Sequence, residues 1–211
     1  KEQKTMATKS IMWVWGETRT GKTTMASTVF NKNQDCYIAC DSNPLDNYQG
    51  QPVLILDDIS SGTMTCKALL KLCDPNYNSP VTARYYNRIC EADTIIVTST
   101  VSPEKWWTQA RGTDTNNGSW EQLTARLNLG SVHIVSATTM EWTLYNRMGK
   151  VDGTIKADIP QSVRDKIEEQ AKITVTDRFT ALTTEFNINV TLGVPCRDEN
   201  MKFDDTDALW K

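Results

Sequence analysis

The sequence contains one histidine, His133, and no C-x-x-C pair among its six cysteines, Cys36, Cys40, Cys66, Cys73, Cys90 and Cys196. No common zinc pattern can be built from that set. Any mechanism that needs a histidine pair is excluded within the chain. No apolar run approaches the roughly 18 residues of a membrane helix, and no charged-then-apolar leader opens the sequence. The expectation is a soluble, intracellular protein with no membrane partner. A large excess of charge is also missing: 23 Lys+Arg stand against 26 Asp+Glu, a net charge of −3. That argues against a broad basic face for duplex nucleic acid. The small imbalance is uneven, with 15 basic and 14 acidic groups in residues 1–150 and 8 against 12 in residues 151–211.

What is present is material for a core. With 211 residues, 39% of them hydrophobic, the chain suits one domain of ordinary size plus a small appendage. A chain of that length and apolar content has no need of a secreted disulfide framework, so the thiols read as small core side chains. The chain opens at Lys1 and not at Met, as one piece of a longer protein can.

Short apolar runs alternate with helical patterns. Ile11-Met12-Trp13-Val14-Trp15 ends in Gly16 and reads as a buried strand, and Thr23 to Phe30 as the start of a helix. Cys36–Ala39, Val53–Leu56, Thr94–Val97 and Val132–Val135 supply four further strands. Met64, Ala68, Leu69 and Leu72 have helical spacing, and Pro75 to Pro80 stops that helix. Val81 to Cys90 suits a hairpin. The expectation is an α/β fold with a largely parallel sheet over residues 1–150. Residues 151–211 are expected to form a C-terminal helical segment with an acidic tail.

Gly16-Glu17-Thr18-Arg19-Thr20-Gly21-Lys22-Thr23 matches G-x-x-x-x-G-K-[ST] in full, after a strand and before a helix. The glycines let backbone amides curl around phosphate oxygens, and the helix start adds its positive dipole end. Lys22 neutralises the β and γ phosphates, and the Thr23 hydroxyl suits Mg²⁺. Thr24 follows directly within the nucleotide-binding stretch. ATP with Mg²⁺ is the expected cofactor pair. Leu54-Ile55-Leu56-Asp57-Asp58 is an apolar strand ending in two carboxylates. Asp57 is assigned to the metal, and Asp58 to orienting or deprotonating the attacking water. A water-directed acid favours an ATPase over a small-molecule kinase.

Asp46 to Asp58, with Tyr48-Gln49-Gly50-Gln51 before the acidic strand, resembles replication-initiator (Rep) proteins of small circular single-stranded DNA viruses and related plasmids. The similarity continues through Leu69–Pro75, Thr94–Thr100, Glu104–Trp107 and Glu121–Leu127, in family order across roughly residues 10–135. The ATPase part of that family is a superfamily 3 helicase of the AAA+ type. The resemblance implies a P-loop αβα sandwich with five strands in the order 5-1-4-3-2, and a hexameric homo-oligomeric ring around single-stranded DNA. It implies a γ-phosphate sensor at Thr100, where relatives carry asparagine, and an arginine finger at Arg126. It also implies a DNA-binding pore hairpin at Arg84, Tyr85, Tyr86 and Arg88, where tyrosines stand in place of the usual glycine. Guanidinium groups on phosphate and tyrosines stacked on bases suit a single strand without sequence preference. The family's nicking domain, with its paired histidines, is not present in this chain.

The resemblance therefore implies an ATP-dependent DNA helicase of rolling-circle replication, placed in the host nucleus if viral or the cytoplasm if borne by a bacterial plasmid. Two alternatives stand beside it. One is a P-loop kinase for a nucleoside or other small molecule. The other is a nucleotide-dependent DNA-binding assembly module, in which hydrolysis is slow.

Overall fold

A computed structural model describes residues 9–30, 35–40, 43–74, 80–81, 88–112 and 118–169, with the backbone alone at 29, 30, 80, 81 and 88. The apolar runs become strands: β1 (Ser10–Gly16), β2 (Cys36–Ala39), β3 (Val53–Leu56), β6 (Thr94–Ser99) and β7 (Ser131–Ile134). All five pair in parallel, in the spatial order β2-β3-β6-β1-β7. β4 (Pro80–Val81) and β5 (Arg88–Ile89) pair antiparallel as a separate short hairpin.

The sheet has seven strands, which corrects the expected count of five; numbered among themselves, the five parallel strands lie in the order 5-1-4-3-2, and the full order differs by the two strands added beyond β7. Beyond β7 it continues antiparallel through β8 (Thr139–Tyr145) and β9 (Val151–Asp158). The chain can add these strands without a crossover because tight turns join them, as antiparallel neighbours permit. Residues 151–158 therefore extend the main sheet. The helical part of the C-terminal stretch starts after Pro160, over residues 161–169.

Alternation along the strands sorts the core into two layers. Ile11, Trp13, Leu54, Leu56, Ile95 and Val97 face one side, where α2 (Cys66–Leu72), α3 (Pro103–Arg111) and α4 (Trp120–Thr124) pack. Met12, Val14, Val53, Ile55, Ile96, Val132 and Ile134 face the other. There they meet Met25 of α1 (Lys22–Met25), Ala26 of its π-helical continuation (Ala26–Phe30), and Val163. Strands buried on both faces are what a parallel sheet requires. Trp106 and Trp107 belong to the first layer, with Trp106 tilted against Trp13 at 5.5 Å. Each such buried side chain contributes about 1.5–3 kcal/mol.

The helix starts carry their own caps. Thr65 accepts a hydrogen bond from the Ala68 amide and Ser102 from the Lys105 amide, with Pro103 at the first turn of α3. Cys66, Cys73 and Cys90 are buried, and no disulfide joins any of the five described cysteines. Among the described residues no helix is long and apolar enough to cross a membrane.

Candidate functional site

Parallel strands present their C-terminal ends together, and the phosphate loop, the two acids and Thr100 leave the sheet at that edge. β1 ends at Gly16, and the following loop turns into α1 at Lys22. Two loop residues are left-handed, Arg19 at φ 66° and Gly21 at φ 84°. Such backbone makes a concave set of amides that suits an anion. The Thr20 hydroxyl donates to Glu17 O at 2.8 Å and braces the loop from within. Glu17 and Thr18 are exposed at its tip, and Thr24 lies half-buried in the first turn of α1.

The Lys22 side chain is buried, and its Nζ donates to Gly16 O at 3.1 Å and Glu17 O at 2.7 Å. It thus lies along the loop it serves. Burial pulls its pKa below the usual lysine value, while the charges of Asp58 and Asp57 pull it back up.

The two acids occupy different settings. Asp57 is half-buried and its Oδ1 receives two hydroxyl protons, from Thr23 at 2.6 Å and Thr98 at 2.7 Å. Asp58 is exposed and left-handed at φ 52°, and its amide donates to Thr98 Oγ1 at 2.9 Å. Aspartate tolerates that backbone region better than most residues. The strand end therefore separates one acid held in a network from one facing solvent.

Thr98 is the residue that sequence reasoning passed over. It touches both acids, and the signal was its place in the polar triplet Thr98-Ser99-Thr100 ending β6, next to β3 in the sheet. Ser99 is also engaged, donating to Ile59 O at 2.7 Å. Thr100, the expected sensor, is exposed one residue past the strand.

Arg126 lies elsewhere in its interactions. Its Nε donates to Leu70 O at 3.0 Å and a terminal nitrogen donates to Gln122 O at 2.8 Å. The other terminal nitrogen lies 3.7 Å from Asp74. The guanidinium clamps the C-terminal end of α2 within its own chain. Of the expected DNA-binding hairpin, Arg84, Tyr85 and Tyr86 lie outside the described residues, and for Arg88 only the β5 backbone is described.

The donor set fits Mg²⁺. Thr23 and Asp57 bring a hydroxyl and a carboxylate oxygen together, and this hard cation takes one or two carboxylates plus substrate phosphates. Among the described residues no cluster of three or more histidine, cysteine or acidic side chains could hold a metal by protein ligands alone.

Comparison with known proteins covers part of this chain. Residues 12–101 match the family described as RNA helicase. A replication protein of Onion yellows phytoplasma (strain OY-M) is 38% identical over 93 residues, which is 43% of this chain and 25% of that protein. The chain thus matches about a quarter of the length of that relative. The matched stretch runs from inside β1 past the end of β6, and so contains the phosphate loop, both acids and Thr98 in order. Residues 12–101 of this chain are thus similar to a Rep-like superfamily 3 helicase-type domain.

Proposed function

We propose that the chain is the motor of a replication initiator, hydrolysing ATP to move along single-stranded DNA and unwind duplex during rolling-circle replication. The observation that carries this reading is the hydrogen-bonded set Thr23–Asp57–Thr98 beside a buried, cationic Lys22. It joins the three elements that a phosphate-hydrolysing site needs: loop, acidic strand end and polar neighbouring strand.

In this reading Gly16 to Thr24 cradle the triphosphate, and Lys22 neutralises its β and γ groups. Thr23 and Asp57 hold Mg²⁺, which when bound would offset charge on the phosphates. Asp58 accepts the proton of the attacking water, and Thr100 senses the γ-phosphate. Arg126 reaches the nucleotide of a neighbouring subunit in a hexameric ring. That role requires it to leave Leu70 O and Gln122 O, so assembly and release of the clamp are one event. Arg84, Tyr85, Tyr86 and Arg88 grip the strand inside the ring. The cell compartment follows the replicon: nucleus for a virus, cytoplasm for a bacterial plasmid.

The test is ATP hydrolysis at several protein concentrations, with no nucleic acid, with single-stranded DNA and with single-stranded RNA. The expected outcome is turnover that rises more than linearly with protein concentration and is stimulated by DNA. Concentration-independent turnover indifferent to nucleic acid would point to the kinase class instead. Stimulation by RNA alone would move the substrate from DNA to RNA.

One observation favours a second reading, a slow nucleotide-dependent assembly module. The Arg126 guanidinium is committed to its own chain. Mixing Arg126→Ala with Asp58→Asn separates the two. A shared site recovers part of the lost turnover, because some interfaces then pair an intact Asp58 with an intact Arg126. A module in which Arg126 is only a clamp recovers none.

A further inference from the structure

β9 closes one flank of the sheet, and among the described residues no strand pairs with its outer edge. All of its residues except Ala157 are exposed. An edge of that length presents a row of backbone N–H and C=O groups that can template another strand. The strand has no proline to blunt it, and its charges are mixed: Asp152, Lys156 and Asp158. The ladder with β8 shifts only at Asp152, and Gly153 to Asp158 pair regularly with Leu144 to Thr139.

That ladder fixes which residues share a face. Thr154 and Lys156 stand opposite Thr143 and Glu141. The two threonine hydroxyls lie 3.2 Å apart, and Lys156 lies 3.2 Å from Glu141 with its side chain still 77% exposed. Gly153 and Ile155 stand on the other face, opposite Leu144 and Trp142. There Ile155 is 66% and Leu144 42% exposed, an apolar strip beside the free edge.

The strand is charge-complementary to itself. Laid antiparallel on a second copy with Thr154 opposite Thr154, Asp152 meets Lys156 twice, once on each side of the two-fold axis. Ile155 then falls opposite Gly153, where no atom stands within 4 Å of an added Cβ, so the isoleucine has room. The two apolar strips join into one. Sliding one strand by two residues, the smallest step that keeps like faces together, loses this match. Centred on Ile155, the pairing sets Asp152 against Asp158. Centred on Gly153, it sets Lys156 against Lys150. Like charges directly opposite are destabilising.

We propose that the β9 edge is a self-association surface, which pairs antiparallel with β9 of a second copy of this chain about Thr154. The contact is isologous, the same edge on both copies, whereas the ring contact proposed for Arg126 is heterologous. It does not rest on the nucleotide site.

Sedimentation of the full chain over a range of concentrations, without nucleotide, reads the association. Lys156→Asp and Asp152→Lys should each weaken it by about ten- to a hundredfold, since each reversal acts at two symmetry-related pairs. Combining them restores opposite charges and should return the affinity to near wild type. Thr154→Cys tests the register. Paired Cα atoms of an antiparallel ladder lie about 4.5–5.5 Å apart, within the span of a disulfide. Oxidised glutathione should therefore link Thr154→Cys chains in pairs. Asp152→Cys should stay unlinked, because its two copies lie four residues apart along the seam, about 14 Å. The wild-type chain, with its exposed Cys40, sets the background. A chain that stays monomeric at every concentration, or a double reversal no tighter than the single ones, overturns the proposal. Association without Thr154→Cys linkage above background overturns it too, and places the contact elsewhere, as in the ring.

Discussion

Thr98 shows how one hydroxyl can set two carboxylates. It donates to Asp57 and accepts from the Asp58 amide, so Thr98→Val keeps the shape and removes both bonds. The variant should lose about 1–3 kcal/mol of stability in urea denaturation, because a part-buried amide is left unsatisfied. Its ATP turnover should fall while ADP affinity, carried by Lys22, holds. Wild-type turnover in Thr98→Val would mean that the acids position themselves. Asp57→Asn should weaken Mg²⁺-dependent binding, whereas Asp58→Asn should bind normally and hydrolyse poorly; identical behaviour would overturn their division of labour. Lys22 adds a pH dependence whose sign is set by burial. Its proton is lost below the usual 10.5, so ADP affinity should decline as pH rises before an ordinary lysine would titrate. Lys22→Ala should show no such decline, and an equal slope in both proteins would assign the effect to another group.

At the scale of elements, Arg126 and Gly130 decide how pieces of secondary structure meet. The Arg126 clamp ties α4 and its following turn to the end of α2, so Arg126→Ala should lower stability by about 1–3 kcal/mol even in the monomer. Unchanged urea denaturation would show that the side chain is free to swing. Gly130 is left-handed at φ 72°, and a Cβ there would collide with the Thr143 carbonyl of β8. Gly130→Ala should therefore cost more than its backbone strain of about 1–3 kcal/mol. The reason is that a backbone carbonyl in a paired strand cannot step aside. A thermal melt near wild type would show that β8 is loosely held. The β8–β9 pair was missed in the sequence although Met140, Trp142 and Leu144 alternate with Glu141, Thr143 and Tyr145. Its outer strand β9 is mostly exposed, so no apolar run marks it. α3 was not read from the sequence either, although Ser102 and Pro103 start it and Trp106 and Trp107 bury it.

For the whole molecule, burial of neutral acids sets the response to alkali. Burial pushes the Cys73 thiol up to about 12, and raises Cys66, Cys90, Tyr48 and Tyr145 above their usual values of 9.0 and 10.0. Above pH 9 the unfolded chain therefore releases protons that the folded chain keeps. Stability is fully present below that pH and falls as pH rises through 9 to 12. Lys22 acts the other way, since its lowered pKa favours folding as pH rises toward 10.5, but it is one group against five. The urea midpoint should drop between pH 8 and pH 10.5, and a flat profile would show these groups to be solvated. In the same range iodoacetamide should label Cys40, which is exposed, long before Cys66, Cys73 or Cys90.

The phosphate loop, the acidic strand end and the parallel core were determined by the sequence alone. Each is local: a glycine-spaced loop, a run of four apolar residues, a pair of adjacent acids. The partners of those residues were decided only in three dimensions. Thr98 meets Asp57 across two neighbouring strands, and Arg126 meets Leu70 across two helices. Arg164 and Ile167 reach the loop from more than 140 positions downstream. Contacts at such separations depend on strand order and helix seating, and burial on both faces of the sheet sets these without leaving a pattern in neighbouring residues.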